Sequence, residues 1–232
     1  MAALDICAAE KVYNNILERG IVMSLKQQLE QCSIDFAKEF PEQDRIFSQF
    51  IDELRDSGIL DKVLKEGDTI PDFALPDIHG NIITLDSLLD AEKLIINFYR
   101  GGWCPYCSIE LQIWESVYIE LIRENINLVA ISPEKAEVSS MAGSNNNLSF
   151  ETLSDFDNEV ARQFGLVFKL DSHVSQLYES FGIDLVAING NKSDELPIPA
   201  TYIIGRDRKI IDAYLDVDYR KRKDPEEILK IL

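Results

Sequence analysis

The chain is short of cysteine, histidine and basic residues and has no long apolar run, and each shortage removes a class of protein. Four cysteines among 232 residues, Cys7, Cys32, Cys104 and Cys107, are too few and too unevenly spaced for a disulfide scaffold. His79 and His173 stand singly, and no second C-x-x-C accompanies Cys104 and Cys107, so a zinc site would lack its four ligands. No metal and no cofactor are expected. Twenty-three basic against 41 acidic side chains leave a formal charge of -18, which repels a phosphate backbone and excludes nucleic acid as a partner. The longest apolar runs, residues 94–99 and 128–131, fall far short of the roughly 20 residues a membrane helix needs. The first 11 residues contain Asp5 and Glu10 and lack a charged-then-apolar layout, so no export signal is read there and a cytoplasmic location is expected. Without a secretory route, the triplets Asn147-Leu148-Ser149 and Asn191-Lys192-Ser193 are chance matches to a glycosylation pattern.

What is present divides the chain in two, an N-terminal helical arm over residues 1–64 and a mixed α/β domain over residues 65–232. In the arm, Val22, Leu25, Leu29, Cys32, Phe36 and Phe40 recur at steps of three and four and paint one helix face, which Pro41 ends. A second stretch carries Ile46, Phe47, Phe50, Ile51 and Leu54, with Gly58 placed to turn the chain. Such stripes need a surface to cover, either the main domain or a second copy of the chain in a homodimer. Past Gly67 the pattern turns to strands: a hairpin over residues 71–85, a buried strand over 93–100 and another over 127–132 with a helix from Cys104 to about Arg123 between them. Strand, helix, strand in that order implies a parallel crossover. A strand near 150–153, helices near 157–164 and 174–181, a hairpin over 200–214 and a final helix from Asp224-Pro225 complete the expected layout.

The chemical signal lies in residues 98–107, Phe-Tyr-Arg-Gly-Gly-Trp-Cys-Pro-Tyr-Cys, which leave a buried strand and open a helix. Free N–H groups and the positive end of the helix dipole favour a thiolate there, and the three-residue spacing places both sulfurs on one face, within reach of a disulfide. Paired glycines, Gly101 and Gly102, allow the turn off the strand, and Pro105 presets the first helical residue. Cys32 sits in an apolar stripe and reads as core; His79 reads as a turn residue and His173 as a helix-start residue.

On these residues the sequence resembles the AhpC/TSA peroxiredoxin family, in a branch that carries a thioredoxin-style C-x-x-C. The resemblance runs from Gly67 to Leu232 through ordered blocks: Gly67-Asp68 with Pro71-Asp72-Phe73 and Leu75, then Phe98 to Cys107, Ser154-Asp155 leading to Phe164-Gly165, and Pro199-Ala200-Thr201-Tyr202 with Ile203-Ile204. It implies a thioredoxin-like mixed sheet flanked by helices. The pattern P-x-x-x-T-x-x-C falls on Arg100 to Cys107, which implies Cys107 as the peroxidatic cysteine and puts Cys104 where the family has threonine. The family's arginine falls on Pro199, which looks instead like the cis-proline facing the cysteine pair in thioredoxins. Arg100 is the candidate substitute for that arginine, with a solvent-reaching strand end as the alternative. Trp103 resembles the aromatic before the thioredoxin pair, and Glu110 matches a family position.

The implied activity is reduction of hydrogen peroxide or an organic hydroperoxide: Cys107 becomes a sulfenic acid, Cys104 closes a disulfide, and thioredoxin, glutaredoxin or glutathione resets the pair. Two other readings stay open: a thiol-disulfide oxidoreductase with Cys104 as exposed nucleophile, and a non-enzymatic redox sensor.

Overall fold

The computed structural model describes residues 23–137 and 148–230. Cys7, Val22, the asparagines at 145–147 and Leu232 lie outside these residues.

Helices α1 (Leu25–Glu39) and α2 (Pro41–Asp56) form the described part of the arm. Ser24 starts α1 with a reciprocal cap: its hydroxyl accepts from the Gln27 N–H at 3.4 Å and its own N–H donates to the Gln27 side chain at 3.0 Å. Phe40 alone separates the helices, and Pro41 takes the first position of α2, where a missing N–H costs nothing. Gly58, at φ +70°, turns the chain out of the arm. The expected stripes are the faces that pack inward. Leu25, Leu29 and Cys32 bury into a cluster with Cys104, Cys107 and Trp114, while Ile51 joins the cluster on the other face of the sheet. Within the chain, these faces of α1 and α2 pack on the α/β domain.

A small hairpin follows, β1 (Ala74–Pro76) with β2 (Ile82–Thr84), closed by the Asp77 carboxylate, which accepts from the N–H groups of His79 at 2.7 Å and Asn81 at 2.8 Å. His79 is a turn residue, as expected. Leu85, expected to end the second strand, instead opens a short helix, α3 (Leu85–Leu88), because the Thr84 side chain accepts from the Ser87 N–H and caps it.

The central sheet comprises β3 (Lys93–Phe98), β4 (Ile126–Ser132), β5 (Glu151–Ser154), β8 (Ala200–Gly205) and β9 (Ile210–Leu215), in the order β5-β4-β3-β8-β9. β3, β4 and β5 are parallel, and β8 and β9 run antiparallel. The crossover between β3 and β4 is α4 (Pro105–Arg123), which carries the cysteine pair at its start. Along β3, alternate residues serve opposite faces: Leu94, Ile96 and Phe98 pack with Phe164 and Tyr202, whereas Ile95 packs under α4 with Trp114. Between β5 and β8 come α5 (Glu159–Gln163), β6 (Val167–Lys169), α6 (Ser172–Ser180), α7 (Leu185–Asn189) and β7 (Glu195–Pro197), with β6 and β7 paired as a separate ribbon. The last element is α8 (Pro225–Leu229), capped by Asp224, whose carboxylate also accepts from the Leu25 N–H of the arm at 3.2 Å. That ribbon and α7 were not anticipated: strands of three residues and a helix of five are too short to display a period.

Candidate active site

The site forms where β3 ends in the middle of the sheet. Tyr99 still donates its N–H to Ile131 across the sheet, and Gly101, at φ +142°, then turns the chain into α4. A Cβ at Gly101 would stand 2.4 Å from Trp103 Nε1 and 2.9 Å from a Glu134 carboxylate oxygen, so only glycine fits. Cys104 is the N-cap of α4, Pro105 its first residue, and Cys107 lies one turn further in. Both cysteines are free and completely buried, whereas the oxidoreductase reading supposed an exposed Cys104.

Each sulfur has its own arginine. Arg100, only 3% exposed, donates through Nη2 to Cys104 Sγ at 3.0 Å and through Nη1 to the Tyr178 hydroxyl at 2.8 Å. Its guanidinium lies 3.7 Å from the Tyr219 ring centre and 5.0 Å from that of Trp103, so aromatic faces stand in for water around the cation. Of the two alternatives for Arg100, the solvent-reaching strand end is thereby ruled out. Arg222, in the loop between β9 and α8, donates through Nη2 to Cys107 Sγ at 3.7 Å and through Nε to Glu110 at 2.8 Å. Glu110 is fully buried and also accepts from the Asn97 side chain at 3.1 Å.

The two thiols are pushed apart by this setting. Burial resists ionisation of Cys104, but the hydrogen bond from Cys107 and the positive charge of Arg100 outweigh it and hold its pKa well below the usual thiol range. Burial, the hydrogen bond to Cys104 and the charge of Cys104 all push Cys107 well above that range, against the pull of Arg222. The setting favours ionisation at Cys104 and retention of the proton at Cys107. Cys32, nearby on α1, is pushed up to about 12 by burial and is an inert core thiol, as its place in the stripe suggested.

Among the other expected residues, Trp103 packs edge-on to Tyr178 at 5.2 Å and lies beside Arg100, beneath the arm. Pro199 lines a cavity of about 10 Å³ with Arg100, Tyr178, Tyr219, Phe47 and Phe50, a volume suited to no more than one water. Its peptide bond is trans, as are all those among the described residues, so the likeness to a thioredoxin cis-proline is corrected. β8 follows directly from Pro199 as a regular strand against β3 and requires no reversal there. Sequence reasoning missed Arg222, Tyr178 and Tyr219. Arg222 stands in the run Arg220-Lys221-Arg222-Lys223, which reads as a solvated basic patch, and only the fold brings it under α4. Among the described residues, no three histidine, cysteine or acidic side chains are gathered as a metal site would need.

A cysteine pair at a helix start, on a mixed sheet with a central parallel crossover, is an arrangement of the thioredoxin-like class. Within that class the chain belongs to the AhpC/TSA family, which matches residues 67–213, more than half of its length. Peroxiredoxin Bcp of Escherichia coli K12 is 31% identical over 103 residues, 44% of this chain and 65% of its own, so the chain spans just under two thirds of that relative's length. Among solved structures, peroxidoxin BcpB of Mycobacterium tuberculosis is similar with a TM-score of 0.56 at 23% identity, over 72% of this chain and 95% of its own. A mutant of Xylella fastidiosa PrxQ gives the same TM-score at 16% identity, over 72% and 94%. Arg222 lies beyond the span that matches the family.

Proposed function

We propose that the chain is a thiol peroxidase that reduces hydrogen peroxide or an organic hydroperoxide, with Cys104 as the attacking sulfur and Cys107 as the one that closes the disulfide. This order reverses the one that the P-x-x-x-T-x-x-C pattern implies. The observation that carries it is the 3.0 Å contact between Arg100 Nη2 and Cys104 Sγ, a buried cation on a thiol that is itself the helix N-cap. The name of the Escherichia coli relative supports the reaction class.

On this reading the Cys104 thiolate attacks the outer oxygen of the hydroperoxide, the O–O bond breaks, and the departing alkoxide or hydroxide leaves as an alcohol or water once protonated. Arg100 donates toward the developing negative charge; its Nε has no hydrogen-bond partner and is available for an incoming oxygen. Cys104 sulfenic acid then condenses with Cys107, releasing water. An external thiol donor, thioredoxin, glutaredoxin or glutathione, supplies two electrons to reopen the disulfide. The natural setting is the cytoplasm, where such donors keep thiols reduced. Among the described residues no helix is long and apolar enough to cross a membrane.

The oxidoreductase reading also uses Cys104 first. Turnover separates the readings, sensor included: the reduced chain is given hydrogen peroxide or cumene hydroperoxide with each donor system in turn. Sustained peroxide consumption with at least one donor is the expected result. Reduction of a disulfide substrate without peroxide consumption would replace it by the oxidoreductase, and a single stoichiometric oxidation with every donor by the sensor.

A further inference from the structure

Arg100 is held from two directions by groups outside the strand end that carries it. Within the plane of its guanidinium, Nη2 donates to Cys104 Sγ at 3.0 Å and Nη1 to the Tyr178 hydroxyl at 2.8 Å, while Nε has no partner. Aromatic rings flank the same group, Tyr219 with its centre 3.7 Å from the guanidinium carbon and Trp103 at 5.0 Å. An aromatic face attracts a cation without selecting which of its N–H groups points where. The hydrogen bonds make that selection, because a planar fork anchored at one nitrogen has a defined direction at the next. Tyr178 is a firm anchor. It stands on α6 one turn after Val174, and both are buried with Phe47, Leu170, Leu185 and Leu196. Its ring meets Phe47 of the arm at 5.4 Å, tilted, and Trp103 edge-on at 5.2 Å. The phenol oxygen is also a neutral acceptor. Arg222, in contrast, meets the Glu110 carboxylate at 2.8 Å, which offsets its charge. Neither hydrogen-bond partner of Arg100 among the described residues is a carboxylate, so its charge is left for the sulfur.

We infer that Tyr178 is a positioning residue: its hydroxyl fixes the direction of the Arg100 fork, so that Nη2 stays on Cys104 Sγ and Nε stays open. This role rests on the reading of Cys104 as the attacking sulfur, and it assigns part of the reactive geometry to α6, an element that carries neither cysteine. Tyr178 acts through Arg100 and touches neither sulfur by hydrogen bond. Without the hydroxyl, the ring can keep its packing against Phe47 and Trp103, but Nη1 loses its buried acceptor and the fork can turn over the Tyr219 face. The cation then spends less of its time on Cys104, and the thiolate loses stabilisation. The other titratable or charged groups bearing on Cys104 or Arg100 are Tyr106, Cys107 and Glu110 on α4, Cys32 on α1, and Tyr219 and Arg222 in the loop after β9. All of them are unchanged by a substitution confined to the Tyr178 hydroxyl.

The test is a double-mutant cycle on the full reduced chain, read by the carbon-13 NMR pH titration of the Cys104 β-carbon. Tyr178→Phe, which keeps the ring and removes only the hydroxyl, is expected to raise the Cys104 midpoint by about one pH unit, tenfold in the ionisation constant. In the Arg100→Met background the same substitution is expected to leave the midpoint where Arg100→Met alone puts it, since the hydroxyl then has no cation to aim. A midpoint that Tyr178→Phe leaves unchanged in the native background overturns the inference. So does an equal displacement in both backgrounds, which would mean that the hydroxyl acts on Cys104 through packing or directly, without Arg100. Neither titration uses peroxide, so if the chain fails to consume peroxide in turnover, the peroxidase reading falls while the cycle still judges the role of Tyr178.

Discussion

Arg100 and Arg222 each approach one sulfur of the pair. Two thiols one helical turn apart in the same buried pocket would share similar acidities if burial alone acted on them. The guanidinium 3.0 Å from Cys104 and the thiol hydrogen of Cys107 break that symmetry. Replacing Arg100 with Met, of similar reach but without charge, is expected to lower kcat/KM for peroxide by about 10²–10³, the usual effect of removing one preorganised donor. Stopped-flow tryptophan fluorescence can follow it, since Trp103 lies beside the reacting pair. A loss smaller than about threefold would mean that Arg100 is not the group that meets the substrate. At this scale the sequence was most legible where residues are adjacent. Cys104, Cys107, Gly101 and Arg100 all lie within eight positions and announce a strand-to-helix turn. Arg222, more than a hundred residues from the sulfur it approaches, carries no local pattern that distinguishes it from Arg220 or Lys221.

At the scale of elements, the arm is what seals the pocket. Phe47 of α2 is 4% exposed and packs tilted against Tyr178 at 5.4 Å and edge-on to Tyr219 at 6.4 Å, the two tyrosines that flank Arg100. Arg220 fastens α2 from the other side, donating to Asp44 at 3.3 Å and Ser48 at 3.2 Å. Phe47→Ala is expected to cost about 3–5 kcal/mol in urea unfolding, the range for truncating a buried aromatic. A loss below about 1 kcal/mol would show the arm to be loosely seated. The heptad-like stripes of α1 and α2 and the alternation in β3 were readable because long elements repeat their period several times. The β6–β7 ribbon and α7 were not, and Leu85 changed from strand to helix because a single threonine cap outranked the β-branched run before it.

For the whole molecule, the depressed Cys104 pKa links chemistry to stability. A thiol whose folded pKa lies below its unfolded value near 9.0 adds stability that is fully present above the unfolded pKa and is lost as pH falls through the folded one. Reduced wild type should therefore gain stability over Cys104→Ser as pH rises toward about 9, measured as the difference in urea midpoint. A difference that shrinks with rising pH would contradict a buried Cys104 thiolate.

The most direct test of the central claim is a sulfenic acid trap. Reduced Cys107→Ser and Cys104→Ser are each treated with one equivalent of hydrogen peroxide in the presence of dimedone, and the labelled peptide is read by mass spectrometry. An adduct is expected on Cys104 in the first variant and little or none on Cys107 in the second. An adduct on Cys107 alone would restore the order implied by the family pattern and contradict the assignment of Cys104 as the attacking sulfur.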